Sequence, residues 1–202
     1  MIGILSYGVG NIKAIEKVFD LLRVPVKVIT RPEEIKNVQK LILPGVGAFD
    51  YAMQKFSESG FGEIVLKRVQ SEGVPILGIC VGMQMLADKS EEGVLPGLGL
   101  VPGIVKKFKQ DFSKFPLPHM GWNEVAPSSL DSALFMGLDK PRYYFLHSYY
   151  FECEKPEYEL ARCRYEKEFV CAVQNQNIYG VQFHPEKSHH FGVKLIENFS
   201  KL

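Results

Sequence analysis

The sequence predicts an α/β fold: an open, mostly parallel sheet flanked by helices, with additional antiparallel strands in the second half. Three observations predict it. Up to Gln84, short apolar runs alternate with segments of helical period, the pattern of parallel strands joined by crossover helices. The run at 75–79 (PILGI) is apolar throughout, as a strand buried on both faces must be. Beyond residue 100, strand-like runs follow one another through short connections marked by Gly and Pro, which calls for antiparallel pairing.

Residues 2–6 read as the first strand, ended by a glycine-rich turn. Over 11–23, Ile12, Ile15, Val18, Phe19 and Leu22 fall at helical spacing, with Asn11 placed to cap the helix. Residues 24–29 and 41–43 read as the second and third strands, the latter ended by Pro44 and Gly45. Helices are expected over 48–57 and 61–72, then the buried strand 75–79. The second half offers strands at 100–108, 123–125, 143–151, 159–164, 170–174 and 179–183. A closing helix at 190–201 carries Val193, Leu195, Ile196 and Phe199.

Bulk properties exclude several function classes. Lys+Arg number 24 against 23 Asp+Glu, without a long basic run, which argues against a nucleic-acid ligand. No apolar stretch reaches the roughly 20 residues that span a bilayer. The apolar N-terminus lacks a basic flank and a small-residue cleavage site, so it reads as a buried strand rather than a signal peptide. The four cysteines show no C-x-x-C spacing. A cytoplasmic protein with reduced thiols is expected, with Cys153, Cys163 and Cys171 as inert core residues.

Cys80 differs from the other three. The buried strand runs directly into Gly78-Ile79-Cys80-Val81-Gly82, and a helix-like segment follows. This is the nucleophile-elbow pattern with Cys in the serine position. The glycines allow a sharp turn that lifts the sulfur above the carboxyl ends of the strands, where open α/β sheets bind ligands. A following helix favours thiolate, and the next backbone N–H can bind an oxyanion.

A cysteine nucleophile needs a base and a group to orient that base. Of five histidines, His184 stands at the end of a strand in His184-Pro185-Glu186. Two residues on, in an extended segment, Glu186 faces the same way as the imidazole and can hold it in one tautomer. A metal site is not expected, since the adjacent His189 and His190 point apart on a helix. Gly8 and Gly10 do not make a phosphate fingerprint either, because Lys13 stands where the third glycine belongs.

The stretch from Gly78 to Gln84 (GICVGMQ), that from Gln182 to Ser188 (QFHPEKS) and Pro44 to Gly47 (PGVG) together resemble the class I, triad-type glutamine amidotransferases. Three further stretches, Tyr7 to Asn11 (YGVGN), Pro118 to Asn123 (PHMGWN) and Tyr144 to Tyr149 (YFLHSY), narrow the resemblance to the family of glutaminase subunits of imidazole glycerol phosphate synthase. The similarity runs from the first strand to the last helix. It implies a flavodoxin-like sheet, one amidotransferase domain over 1–202, and no cofactor. It also implies L-glutamine as substrate and a Cys80, His184, Glu186 triad that releases ammonia. Oxyanion donors are implied at Gly45, Val46, Gly47 and Val81, and substrate contacts at Gln84, Glu92, Ser148 and Tyr149.

The family docks on a (β/α)₈-barrel synthase subunit in a heterodimer. That partner uses channelled ammonia to make imidazole glycerol phosphate and AICAR in histidine biosynthesis. Asn11, Met120, Trp122, Tyr144 and Lys187 match positions near that contact. Free ammonia is largely protonated at neutral pH and non-nucleophilic, so a shielded path is chemically required. Two alternatives stand beside this one. The stretches Tyr144 to Phe151 and Lys187 to Gly192 are similar to a branch serving surface-polysaccharide sugar modification with a different synthase. A stand-alone cysteine hydrolase of similar fold is the more distant reading, and Pro44 to Gly47 and Gln84 argue against it.

Overall fold

The structure is a computed structural model that describes residues 1–109, 113–129 and 132–202. Among these, strands β1 (Ile2–Leu5), β2 (Val26–Ile29), β3 (Lys40–Gly45) and β4 (Ile76–Cys80) alternate with helices α1 (Ile12–Leu22), α2 (Phe49–Glu58) and α3 (Phe61–Leu66). A one-turn helix α4 (Val81–Gln84) follows β4 directly. Then come β5 (Lys89–Ser90), β6 (Gly103–Lys107), β7 (His119–Pro127), β8 (Arg142–His147), β9 (Tyr149–Cys153), β10 (Glu159–Tyr165), β11 (Lys167–Asn175) and β12 (Ile178–Val181). Helix α5 (His189–Lys201) closes the chain.

The strands lie in the order β2-β1-β3-β4-β12-β11-β10-β7-β8. The first five are parallel, and β11 turns the sheet antiparallel. This mixed sheet flanked by helices is the predicted architecture. Its key feature is that β4 and β12, far apart in sequence, are parallel neighbours with Ile79 opposite Val181. The carboxyl ends of both strands therefore open at the same place. Cys80 ends the first, and His184 lies three residues beyond Val181 at the end of the second. Ile76, Leu77, Val181 and Phe183 are fully buried beneath this point.

Several local readings are corrected. β3 continues through Pro44 and Gly45 instead of stopping before them. β1 pairs with β3 only as far as Ile4 opposite Ile42, so the proline's missing donor costs no ladder bond on that side. Its carbonyl is taken up by the buried Tyr7 hydroxyl. The single run expected over 143–151 is two strands. β8 pairs with β7, whereas β9 pairs with β6 and β11, and Ser148 is the break between them. β7 is longer than 123–125, because its first half forms a two-stranded ribbon with β8 that leaves Met120 and Trp122 exposed. The helix expected to reach 72 widens into a π turn over Lys67–Ser71. Asn11 sits at the cap position of α1 but makes no side-chain capping bond.

Candidate active site

Cys80 occupies φ 56°, ψ −114°, a region a non-glycine residue adopts only under constraint, at a typical cost of about 1–3 kcal/mol. Close packing around the turn enforces it. A Cβ on Gly82 would lie 1.9 Å from the Leu43 carbonyl oxygen, and one on Gly78 would lie 2.5 Å from the Gly82 carbonyl oxygen. The elbow is thus wedged against β3, and no larger residue fits at either position. Because α4 is a single turn, its dipole is smaller than a long helix would supply.

The elbow opens onto a cavity of about 340 Å³ lined by Val46, Gly47, Cys80, Val81, Gln84, Glu92, Pro118, Leu146, His147, Ser148, Tyr149, His184 and Lys187. Nearly every residue expected at the site is in this lining. Gly45 and Glu186 are not: Gly45 lies beneath the elbow, where a Cβ would come within 2.3 Å of the Gly82 nitrogen, and Glu186 is tied to the site through the His184 ring. A second groove of about 300 Å³, between Lys106, Lys109, Tyr150 and Lys167, contains no cysteine or histidine.

His184 and Glu186 are held together, though not by the extended geometry expected. His184 is extended, but residues 185–187 form a 3₁₀ turn that brings the carboxylate back to the ring. Nδ1 of His184 lies 2.9 Å from Oε1 of Glu186, with side chains 5% and 1% exposed. The other carboxylate oxygen has no hydrogen-bond partner among the described residues, so the imidazole is the main compensation for this buried charge. Burial alone would lower the His184 pKa, but hydrogen bonds to Cys80 and Glu186, and the charges of both, outweigh it and raise it to about 10. The ring and the Cys80 sulfur line the same cavity, and the shift favours the protonated imidazole. By contrast, burial pushes Cys153 and Cys163 up to about 12 and Cys171 well above a free thiol, which leaves all three protonated and inert.

The rest of the cavity is polar and built. Gln84 is buried, and its Nε2 donates to Gln182 Oε1 at 3.0 Å and to the Tyr149 carbonyl at 3.4 Å. Glu92 accepts the Phe49 N–H at 2.9 Å, and burial raises its pKa despite that bond. Asp50 accepts the N–H groups of Val94 and Leu95, which fastens the loop carrying Glu92. At the rim, Met120 faces Leu146 and Trp122 faces Tyr144 across the ribbon. The Lys187 ammonium lies over the Tyr144 ring at 5.6 Å, and His189 stacks on Trp122 at 5.1 Å. Helix α1, which Asn11 begins, packs against the 185–187 turn. Of the five positions matched to a partner contact, Lys187 lines the cavity, Met120 faces the lining residue Leu146, Trp122 and Tyr144 pair beside it on the ribbon, and Asn11 precedes α1.

Three groups were not anticipated. Gln182 is fully buried with its amide nitrogen 3.9 Å from the Cys80 sulfur. Tyr7 holds the carbonyl of Pro44, just before the glycine-rich strand end. His119 and His147 form a buried pair with Nδ1 and Nε2 2.9 Å apart. Nothing in the linear sequence links the two histidines; only the β7–β8 register places them opposite each other.

Burial pushes the His119 pKa down to about 4 and that of His147 down to about 3. Both rings are neutral in the fold, whereas the unfolded chain protonates them as pH falls through about 6.5. Stability should therefore fall between about pH 6.5 and 4, by up to about 1.4 kcal/mol per pH unit for each ring. His184 runs the other way: its contribution is complete below about 6.5 and is lost as pH rises toward 10. Urea unfolding at pH 7 and pH 5 checks the acid limb; equal stability at both would refute it.

Among the described residues no cluster of three metal-ligating side chains exists, and no helix is long and apolar enough to cross a membrane.

Known proteins resemble this chain over nearly its whole length. The family described as glutamine amidotransferase class-I matches residues 4–201. A protein of Bdellovibrio bacteriovorus named imidazole glycerol phosphate synthase subunit HisH is 54% identical, with all of both chains covered. A protein of the same name from Leptospira borgpetersenii is 51% identical over the whole of both. One from Pseudomonas aeruginosa, named imidazole glycerol phosphate synthase subunit HisH 2, is 41% identical over the whole of both. Among solved structures, a crystal structure of a glutamine amidotransferase aligns with TM-score 0.76 at 20% identity, covering 99% of this chain and 97% of that one.

Proposed function

The chain belongs to the class-I glutamine amidotransferases, among the HisH subunits of imidazole glycerol phosphate synthase, and from that premise we propose that it hydrolyses L-glutamine with Cys80, His184 and Glu186 and passes the ammonia to a (β/α)₈-barrel synthase subunit. The observation that carries this reading is the constrained elbow of Cys80 sharing one cavity with His184, whose ring is fixed from outside that cavity by Glu186.

The chemistry follows from the geometry. The Cys80 sulfur attacks the side-chain amide carbon, and the carbonyl π electrons move to oxygen. The N–H of Val81 and that of the Val46–Gly47 strand end receive the oxyanion; Gly47 already has φ 85°, which only glycine adopts freely. His184 gives its proton to the nitrogen, the C–N bond breaks, and ammonia leaves. His184 then takes a proton from water, whose oxygen attacks the thioester carbon; the C–S bond breaks, glutamate departs, and the sulfur is left as it began beside the protonated ring. Glu186 keeps the ring in one orientation through both proton transfers. Glu92 is placed to pair with the substrate ammonium, and the backbone at 148–149 to take its other end. The whole of residues 1–202 acts as one such domain, in the cytoplasm.

The mouth of the cavity supports docking. Met120 is 65% exposed and Trp122 40%, with Val46 and Leu146 also open to solvent, an apolar rim around the exit. Trp122→Ala should weaken the complex with the synthase subunit by about 2 kcal/mol, roughly thirtyfold in Kd, as read by titration calorimetry. A Kd changed less than twofold would remove Trp122 from the interface. The functional reading itself is tested by glutamate production with and without the barrel subunit, which should stimulate it strongly.

A second reading changes only the acceptor. Some relatives carry the numbers HisH 1 or HisH 2, which points to more than one such subunit in their organisms, and duplicated glutaminases can serve different synthases, including those that modify surface sugars. Rescue of a histidine auxotroph lacking this subunit separates the two. Failure despite good expression would favour the sugar pathway.

A further inference from the structure

We propose that the buried His119–His147 pair is a positioning device for glutamine, a one-directional chain of hydrogen bonds that holds the carbonyl of Tyr149 and so sets the backbone segment that receives the substrate. The inference rests on the glutaminase reading above and adds two residues to its machinery.

Chemistry permits only one direction for this chain. His147 Nδ1 lies 2.7 Å from the Tyr149 carbonyl oxygen, which can only accept, so Nδ1 carries the hydrogen. In a neutral ring Nε2 is then the acceptor, and it faces His119 Nδ1 at 2.9 Å, which must donate. His119 Nε2 is in turn an acceptor, and the Asn123 amide nitrogen approaches it at 3.4 Å while also donating to the Arg164 carbonyl at 2.8 Å. Each ring nitrogen then has a partner of the right kind and neither ring needs a charge. Both rings adopt the Nδ1–H tautomer, the less favoured form of a free neutral imidazole in water. Aromatic neighbours hold the geometry: His119 is sandwiched by Tyr165 at 4.1 Å and Phe145 at 4.8 Å, and Phe169 lies 5.2 Å from His147.

The segment needs such a clamp. Ser148 is the break where β8 leaves its pairing with β7 and β9 begins its pairing with β6, and the ladder bond that reaches it, from the Phe108 N–H to the Ser148 carbonyl, is a long one at 3.4 Å. The Tyr149 carbonyl is held instead by His147 and, from the other side, by Gln84. Ser148, Tyr149 and His147 all line the cavity into which Cys80 opens. His147 feels the His184 charge, but no hydrogen bond among the described residues joins the pair to the sulfur or to His184, and His119 lies outside the cavity lining, so loss of the His119 ring should loosen substrate binding and spare the chemical steps.

The test uses the complex with the barrel subunit. His119→Phe keeps the aromatic sandwich and removes the donor to His147. It should raise KM for glutamine about tenfold, the worth of one hydrogen bond, and change kcat less than about twofold. His119→Gln, which can donate again, should restore KM to within about threefold. Asn123→Ala, at the partly exposed end of the chain, should shift KM the same way by a smaller factor. In the uncomplexed chain, imidazole ¹⁵N shifts should report both rings as Nδ1–H. An unchanged KM in His119→Phe, a fall confined to kcat, no rescue by His119→Gln, or an Nε2–H tautomer at His147 each overturns the proposal alone. A wild-type complex that produces no glutamate overturns the glutaminase reading and the proposal with it.

Discussion

Cys80→Ala is expected to abolish partner-stimulated glutamate formation, a loss on the order of 10³ or more. The elbow exists to present one sulfur. Its backbone is forced to φ 56°, the glycines around it admit no side chain, and His184 lines the same cavity. No other thiol can substitute, since burial holds the thiols of the core residues Cys163 and Cys171 and of the half-buried Cys153 protonated, and all three lie outside the cavity lining. The variant should fold as well as the wild type, because alanine is smaller than cysteine and takes the same backbone angles at similar cost. The measurement is glutamate release by the saturated complex. Retention of a tenth of the activity would mean that the sulfur is not the nucleophile.

The second large effect is structural. Gly82→Ala places a methyl group 1.9 Å from the Leu43 carbonyl oxygen and about 3.0 Å from its carbon. Both are main-chain atoms of the central strand β3, so no rotamer change relieves the clash; α4 or β3 must move. Overpacking of this kind typically costs about 1–3 kcal/mol, and backbone obstruction places this case at or above the upper end. The expected result is a clear drop in urea midpoint together with loss of glutaminase activity, since the movement that relieves the clash also shifts Cys80 and the Val81 N–H. Wild-type stability with full activity would show that the elbow is looser than its contacts indicate.

Much of this site is legible in the sequence. The elbow announces itself because a fully apolar strand followed by Gly-x-Cys-x-Gly has few other uses, and His184-Pro185-Glu186 ends a second strand with the right partner for a thiol. Local patterning could not say that β4 and β12 are neighbours, which is a matter of topology. Nor could it separate β8 from β9, since an alternating run of Tyr, Phe and Leu reads as one strand whichever strand it pairs with. The Glu186 contact was expected for the wrong local reason: the chain turns after Pro185, and it is the turn that returns the carboxylate. His119 and His147 stayed invisible because their relation depends on cross-strand register. The buried bond from Tyr7 to the Pro44 carbonyl depends in the same way on β1 stopping short of β3.

The ribbon of β7 and β8 meets His184 through main chain. The His184 N–H donates to the Tyr144 carbonyl at 2.9 Å, and Ser188 Oγ accepts the Tyr144 N–H while donating to the His184 carbonyl. Alanine scanning of the rim would truncate Trp122, Met120 and Tyr144 and leave the first of these bonds in place. Such a scan can find every residue that grips a partner and still report that the rim and the base are independent. The link becomes visible only to methods that edit or watch the peptide itself, such as an ester in place of the His184 amide or hydrogen exchange at that single N–H.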